Sequence, residues 1–157
     1  MIDEIKKYIS KQMPEIIFTP GKQFYWAPET KQVYFEDIPD NPIATWSLLH
    51  EVSHAKLNHT NYKNDFDLIF LEVEAWEEAK NLAKKFKIKI NQNHIEDCLD
   101  TYRDWLAKRS ACPVCGVRTL QQTNTVRYLC YNCHSKWKVT PSSFCRPYRS
   151  LFKESTS

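Results

Sequence analysis

Glycine is almost missing from this chain, with two residues in 157. That shortage excludes the glycine-rich loops that cradle phosphates, and no such motif occurs. Also missing is any apolar run near the ~20 residues that cross a bilayer. The opening stretch, MIDEIKKYISKQMPE, has no continuous apolar segment and no small-residue cleavage site. It reads as an amphipathic helix rather than a secretory signal, so a cytoplasmic protein without membrane partners is expected. The third shortage is local. Residues 109–157 contain one acidic side chain, Glu154, against eight Lys and Arg, a net charge of about +7. Residues 1–108 hold 14 basic and 18 acidic side chains, a net of about −4. The overall +3 thus conceals an acidic body and a basic appendage suited to nucleic acid or an acidic protein surface.

Apolar and aromatic residues are plentiful. Hydrophobic residues make up 42%, with five Trp, eight Tyr and eight Phe, enough for a core in one or two small domains. Ile2, Ile5 and Ile9 recur on one stripe and predict a helix over 2–13, ended by Pro14. Ile16 to Phe35 carries two or three short strands, with turns at Pro20-Gly21 and Pro28-Glu29. The clearest strand is Val33-Tyr34-Phe35, and it is expected to pair with an extended peptide. A helix from Pro42 or Ile43 to about Asn58 carries Trp46, Leu49, His50 and His54 on its inner face. Asp65 or Asp67 is the expected cap of the next, which runs from Phe66 to Phe86. Residues 93–108 form a further helix, and 111–140 switch to paired cysteines and short strands. The Pro/Ser-rich basic segment 141–157 reads as a poorly ordered tail.

Within the second helix stands His50-Glu51-Val52-Ser53-His54. Residues at i and i+4 share a face one turn apart, so both imidazoles can reach one ion while Glu51 stands beside it as a general base. Leu48, Leu49, Val52 and Ala55 make this a core-lining helix, where two histidines and a glutamate are costly without a shared partner. The plainer alternative is that both histidines only cap or pack. A catalytic zinc takes three protein ligands and a water. His59, Glu72, Glu74, Glu77, Glu78 and His94 are the candidates for the third. Glu74 is the expected ligand, with Glu78 one turn later accepting a hydrogen bond from a ligand histidine. Glu72, nearer the Ile69/Trp76 side, competes. Tyr25, Tyr62, Tyr102, His59 and His94 are candidates to polarise a substrate carbonyl.

HEVSHAKLNH at 50–59 followed by EVEAWEEA at 72–79 resembles the ImmA/IrrE-type metallopeptidases, small proteins of phages, mobile elements and bacteria. The resemblance implies a compact zincin-like fold in which His50, His54 and Glu74 bind zinc and Glu51 is the catalytic base. It also implies a regulatory protease that cleaves a repressor. The chain departs from that family after the glutamate, where Trp76 and Glu77 stand and no Leu-Met-Pro segment follows. HEVSHA with a cysteine module behind it is also similar to SprT-like proteases, which act on DNA-associated proteins. Those use a third histidine, and residues 60–90 contain none.

Cys112, Cys115, Cys130 and Cys133 form two Cys-x-x-Cys pairs, the spacing of a structural four-thiolate zinc site rather than of disulfides. Cys98 and Cys145 are left over, and Gly116 follows the first pair, where a tight backbone is needed. Arg118, Arg127, Lys136 and Lys138, interleaved with Tyr128, Tyr131 and Trp137, suit base stacking and phosphate neutralisation. The chain therefore reads as α+β: a zincin-like domain with a helical core and small sheet over 1–108, a zinc ribbon over 109–140, and a basic tail over 141–157. The expected function is a two-zinc endopeptidase, one ion catalytic and one structural, acting on a protein substrate. The rival is a non-enzymatic ribbon regulator that binds DNA or protein.

Overall fold

Three isoleucines spaced three and four apart begin the first unit of the fold. In the computed structural model, described over residues 1–39, 41–121, 126–140 and 148–152, Ile2, Ile5 and Ile9 are the buried residues of α1 (Ile2–Gln12). Asp3 and Glu4 in the first turn and Lys11 in the last oppose the helix dipole favourably. Three strands follow: β1 (Ile17–Gly21), β2 (Tyr25–Ala27) and β3 (Gln32–Glu36), in the order β1-β3-β2. β1 runs parallel to β3 and β2 antiparallel. Pro20 and Gly21, read from sequence as a turn, instead close β1, an edge strand where a missing N–H is tolerated. Val33-Tyr34-Phe35 is a strand as expected. It is the central one, paired on both sides, so it has no edge to offer a peptide, and that expectation fails.

α2 (Pro42–Lys56) starts where Asn41 accepts a hydrogen bond from the Ala44 N–H at 2.9 Å, with Pro42 in the first turn. Leu48, Leu49 and Val52 are fully enclosed. α3 (Asp65–Lys85) and α4 (Gln92–Ser110) complete the helices. The chain divides into Met1–Asn61 with Leu71–Ile95, and Tyr62–Phe70 with Glu96–Ser157, so α3 and α4 each contribute to both units. The cap of α3 is Asn64, whose side chain accepts from Phe66 and Asp67 N–H, both at 3.0 Å, rather than Asp65 or Asp67.

Asp65 is drawn inward in the second unit. It is fully buried, and its Oδ2 accepts from Arg109 Nε at 3.1 Å and from the Tyr128 hydroxyl. Arg109 also donates to the Thr140 carbonyl, and its own carbonyl accepts from Trp137 Nε1 at 3.1 Å. Around this pair β4 (Arg127–Leu129), β5 (Lys136–Val139) and β6 (Arg149–Leu151) form an antiparallel sheet in that order. β6 lies in the segment expected to be a poorly ordered tail. Its pairing with β5, not its own composition, makes it a strand. Residues 141–147 and 153–157, Cys145 among them, lie outside the described residues. The fold is α+β, and no described helix is long and apolar enough to cross a membrane.

Removing one partner of a buried ion pair strands the other charge. Arg109→Ala is expected to destabilise the second unit by about 3–5 kcal/mol. A urea melt followed by tryptophan fluorescence reads this, and a loss below 1 kcal/mol excludes a structural role for the pair.

Candidate functional site

The first cluster begins with how α2 ends. Leu57 is the C-cap and Asn58 adopts a left-handed backbone (φ 53°), a conformation Asn tolerates better than most side chains. The His59 N–H then reaches the His54 carbonyl at 2.9 Å and the Asn58 N–H reaches Ala55 at 3.1 Å. These are the two bonds of a Schellman turn. The turn folds His59 back over the last helical turn, so that its Nδ1 lies 2.9 Å from His54 Nδ1. Trp26 Nε1 donates to the His59 carbonyl at 2.9 Å and fixes the turn from the sheet side.

His50 and His54, one turn apart, point their Nε2 atoms at each other across 3.1 Å. The carboxylate between them belongs to Glu72, with Oε2 at 3.1 Å from His50 Nε2 and Oε1 at 3.6 Å from His54 Nε2. Glu74, the sequence-expected ligand, is therefore not the residue brought to the histidines. Its side chain is 64% exposed and lies 3.4 Å from His59 Nε2. The reason is helical phase. Glu72, Ala75, Trp76, Ala79, Leu82 and Ala83 are all buried along one stripe of α3, and position 74 faces away from it. Glu72 also stands one turn before Trp76, whose ring stacks on His50 at a centroid distance of 4.2 Å. That spacing was the available signal: a glutamate in register with a core tryptophan.

The other candidates have separate partners. Glu78 pairs with Lys56 rather than with a ligand histidine, and Glu77 pairs with Lys80. His94 packs against Trp46 and Trp76, at centroid distances of 5.1 and 5.7 Å. Tyr25 stacks on Tyr34, while Tyr62 and Tyr102 belong to the second unit. Of the candidate electrophiles, His59 meets His54 directly.

Charge follows from burial and contact. Burial pushes the Glu72 carboxyl up, but hydrogen bonds from His50 and His54 outweigh it and bring the pKa down to about 2. Burial pushes His54 down, and the Glu72 carboxylate more than restores it, so His54 is raised overall. His59 is lowered, by burial first and then by the charge of His54. Glu51, half-buried, accepts the Trp26 backbone N–H at 2.7 Å, and its carboxyl is raised by burial against the pull of His50 and His54.

This donor set fits a metal ion better than it fits protons. Two Nε2–H groups facing each other at 3.1 Å repel, and the carboxylate can satisfy both only in part. A single cation satisfies all three. Two nitrogens about 2.0–2.1 Å from a tetrahedral zinc lie about 3.3 Å apart, close to the separation here. With both Nε2 atoms used as ligands, the protons are assigned. His54 Nδ1–H donates to His59 Nδ1, and His59 Nε2–H donates to Glu74.

The second cluster is Cys112, Cys115, Cys130 and Cys133, whose sulfurs all lie within 4.8 Å of one another. Cys112–Cys133 and Cys115–Cys130 are each 3.5 Å apart, too far for a disulfide and near the ~3.8 Å of tetrahedral thiolates. The two halves match. Gly116 and His134 N–H donate to Cys112 and Cys130 carbonyls, both at 3.0 Å, and both residues have left-handed φ, 75° and 59°. Cys112 and Cys130 N–H donate to Val117 and Ser135 carbonyls, both at 2.9 Å. His134 thus serves the turn, and the thiolates alone supply four ligands. Hydrogen bonds from Ser135 hold the Cys133 thiol down, whereas at Cys130 the pull of backbone N–H groups is outweighed by burial and by the adjacent thiols, which push it up.

Comparison with protein-family models, curated proteins and solved structures finds no match to this chain. The chemistry of the two clusters therefore carries the functional reading.

The full chain is expected to take up two zinc equivalents, falling to one in Glu72→Ala or Cys112→Ala. Glu74→Ala should keep two. In chelator competition His59→Phe is expected to weaken the histidine site by about 10–100-fold through loss of the His54 partner. Equal losses for Glu72→Ala and Glu74→Ala would refute the ligand assignment.

Proposed function

We propose that this protein is a zinc-dependent endopeptidase. The observation that carries the reading is the meeting of His50 Nε2, His54 Nε2 and the Glu72 carboxylate, three donors among the described residues rather than four, beside Glu51 on the helix that carries the histidines. His50, His54 and Glu72 would hold a zinc ion, which would supply a Lewis acid able to activate water near neutral pH and to polarise a carbonyl. Glu51 takes the proton of the attacking water and returns it to the leaving amine. The Trp26 N–H holds the Glu51 carboxylate in place, and burial raises its basicity, as suits a base working near neutral pH. His59 and Glu74 hold the His54 ring in one tautomer and orientation. An extended substrate has β2 as the adjacent strand, since Trp26 belongs to β2 and touches both Glu51 and His59. The substrate class suggested by the sequence resemblances is a repressor or another DNA-associated protein. The four-cysteine site, all of its ligands protein thiolates, has a structural role.

Glu51→Gln is expected to keep both zinc equivalents and the melting temperature while losing at least about 10²-fold in peptide hydrolysis. The assay is cleavage-site profiling by N-terminal labelling of a lysate treated with either protein. Cleavage by the variant at the wild-type rate, or none by the two-zinc wild type, leaves the non-enzymatic ribbon regulator as the better account.

A further inference from the structure

The alternation along the second unit's sheet sorts its side chains into two faces. Tyr128 and Trp137 point inward, stacked at 5.3 Å and almost fully buried, so neither ring is available to a partner. Arg127, Lys136 and Lys138 consequently point outward, and all three are exposed. β6 extends this face. Ser150 lies opposite Lys138, and the Phe152 N–H donates to the Lys136 carbonyl at 3.0 Å, so Tyr148, Ser150 and Phe152 share the side of the three cations. The Arg127 guanidinium, 5.3 Å from the centre of the Phe152 ring, agrees with that sorting. Tyr148 is 64% exposed and Phe152 41%.

Arg127 stands directly across from Lys138 in the β4–β5 register. Like charges directly opposite destabilise a sheet. Glu154 is the one acidic residue in 109–157, against eight basic ones, so this segment has little of its own charge to relieve the repulsion. Such a face gains from an anion with repeating charges. The exposed rings among the cations say which one, because a ring stacks on a nucleobase whose own face is free, as in a single strand. A duplex hides those faces, and an acidic peptide that matches the charges brings no planar ring to stack between them, so polyglutamate is the competitor that separates the two.

We propose that the outer face of the β4-β5-β6 sheet binds single-stranded nucleic acid. Phosphates sit on Arg127, Lys136 and Lys138, and bases stack on Tyr148 and on the Arg127–Phe152 pair. The inference rests on the second unit alone and holds whether or not the chain is a peptidase.

Fluorescence anisotropy of the full zinc-loaded chain with labelled dT15 and rU15 tests it. Both are expected to bind, with log K falling against log salt at a slope of about −2 for three phosphate contacts. Duplex DNA of the same length and polyglutamate should compete at least tenfold more weakly. Lys138→Glu should weaken binding at least tenfold while leaving the melting temperature unchanged or higher, because a carboxylate across from Arg127 replaces repulsion with attraction. That pairing separates lost binding from lost folding. Tyr148→Ala and Phe152→Ala should each cost roughly tenfold. Absence of dT15 binding at low salt, undiminished binding by Lys138→Glu, or equal competition by polyglutamate overturns the proposal.

Discussion

A carboxylate buried between two imidazoles is the constraint on which the first unit turns. Glu72 sits in the apolar stripe of α3, where an isolated charge is prohibitive. It is tolerable there because His50 and His54 present nitrogen to both of its oxygens. The demand is mutual. The histidines lie on a helix enclosed on most sides, and their placement requires α3 to cross at the height of Glu72 with Trp76 stacked on His50. Each further contact serves that meeting. The Asn58 turn returns His59 to His54, and Trp26 clamps His59 with its indole and Glu51 with its backbone.

The second unit answers a different problem. A module with few core residues gains order from the four-thiolate cluster and from the buried Asp65–Arg109 pair, which ties α3's first turn, α4's last turn, Tyr128 and Thr140 together. Asp65 stands at the start of α3, where an acidic residue is ordinarily read as a cap or a favourable dipole charge. Here Asn64 caps the helix and Asp65 is free to turn into the core. Once Tyr128 and Trp137 are committed to that core, the exposed rings left beside the sheet are Tyr148 and Phe152, which flank β6 on either side.

Much of this was legible in the residues. The isoleucine spacing located α1, the His-Glu-x-x-His segment located two converging nitrogens, and the paired Cys-x-x-Cys turns located the sulfur cluster. In each case the partners are one turn or one tight loop apart, so local geometry alone brings them together. The readings that changed all depend on a neighbour far along the chain. Pro20-Gly21 became strand because β3 lies beside it, and Val33–Phe35 lost its free edge because β1 and β2 both pair with it. Arg149–Leu151 became strand because β5 had an edge to fill.

The carboxylate that meets His50 and His54 marks the boundary between the two kinds of knowledge. By itself the sequence determined the His-Glu-x-x-His pair and pointed to a glutamate of the EVEAWEEA segment ahead of His59 and His94 as its partner, since spacing and chemistry are properties of the chain read locally. Which glutamate depends on the rotation of α3 about its axis. Two residues along a helix turn a side chain by about 200°, enough to carry Glu74 from the core to solvent when Glu72 is buried. That rotation is settled by packing: Trp76 on His50, and Ala75, Ala79 and Leu82 within the first unit's core. Only the tertiary structure decided it, because the apolar surface that holds α3 in this phase comes from other segments of the chain.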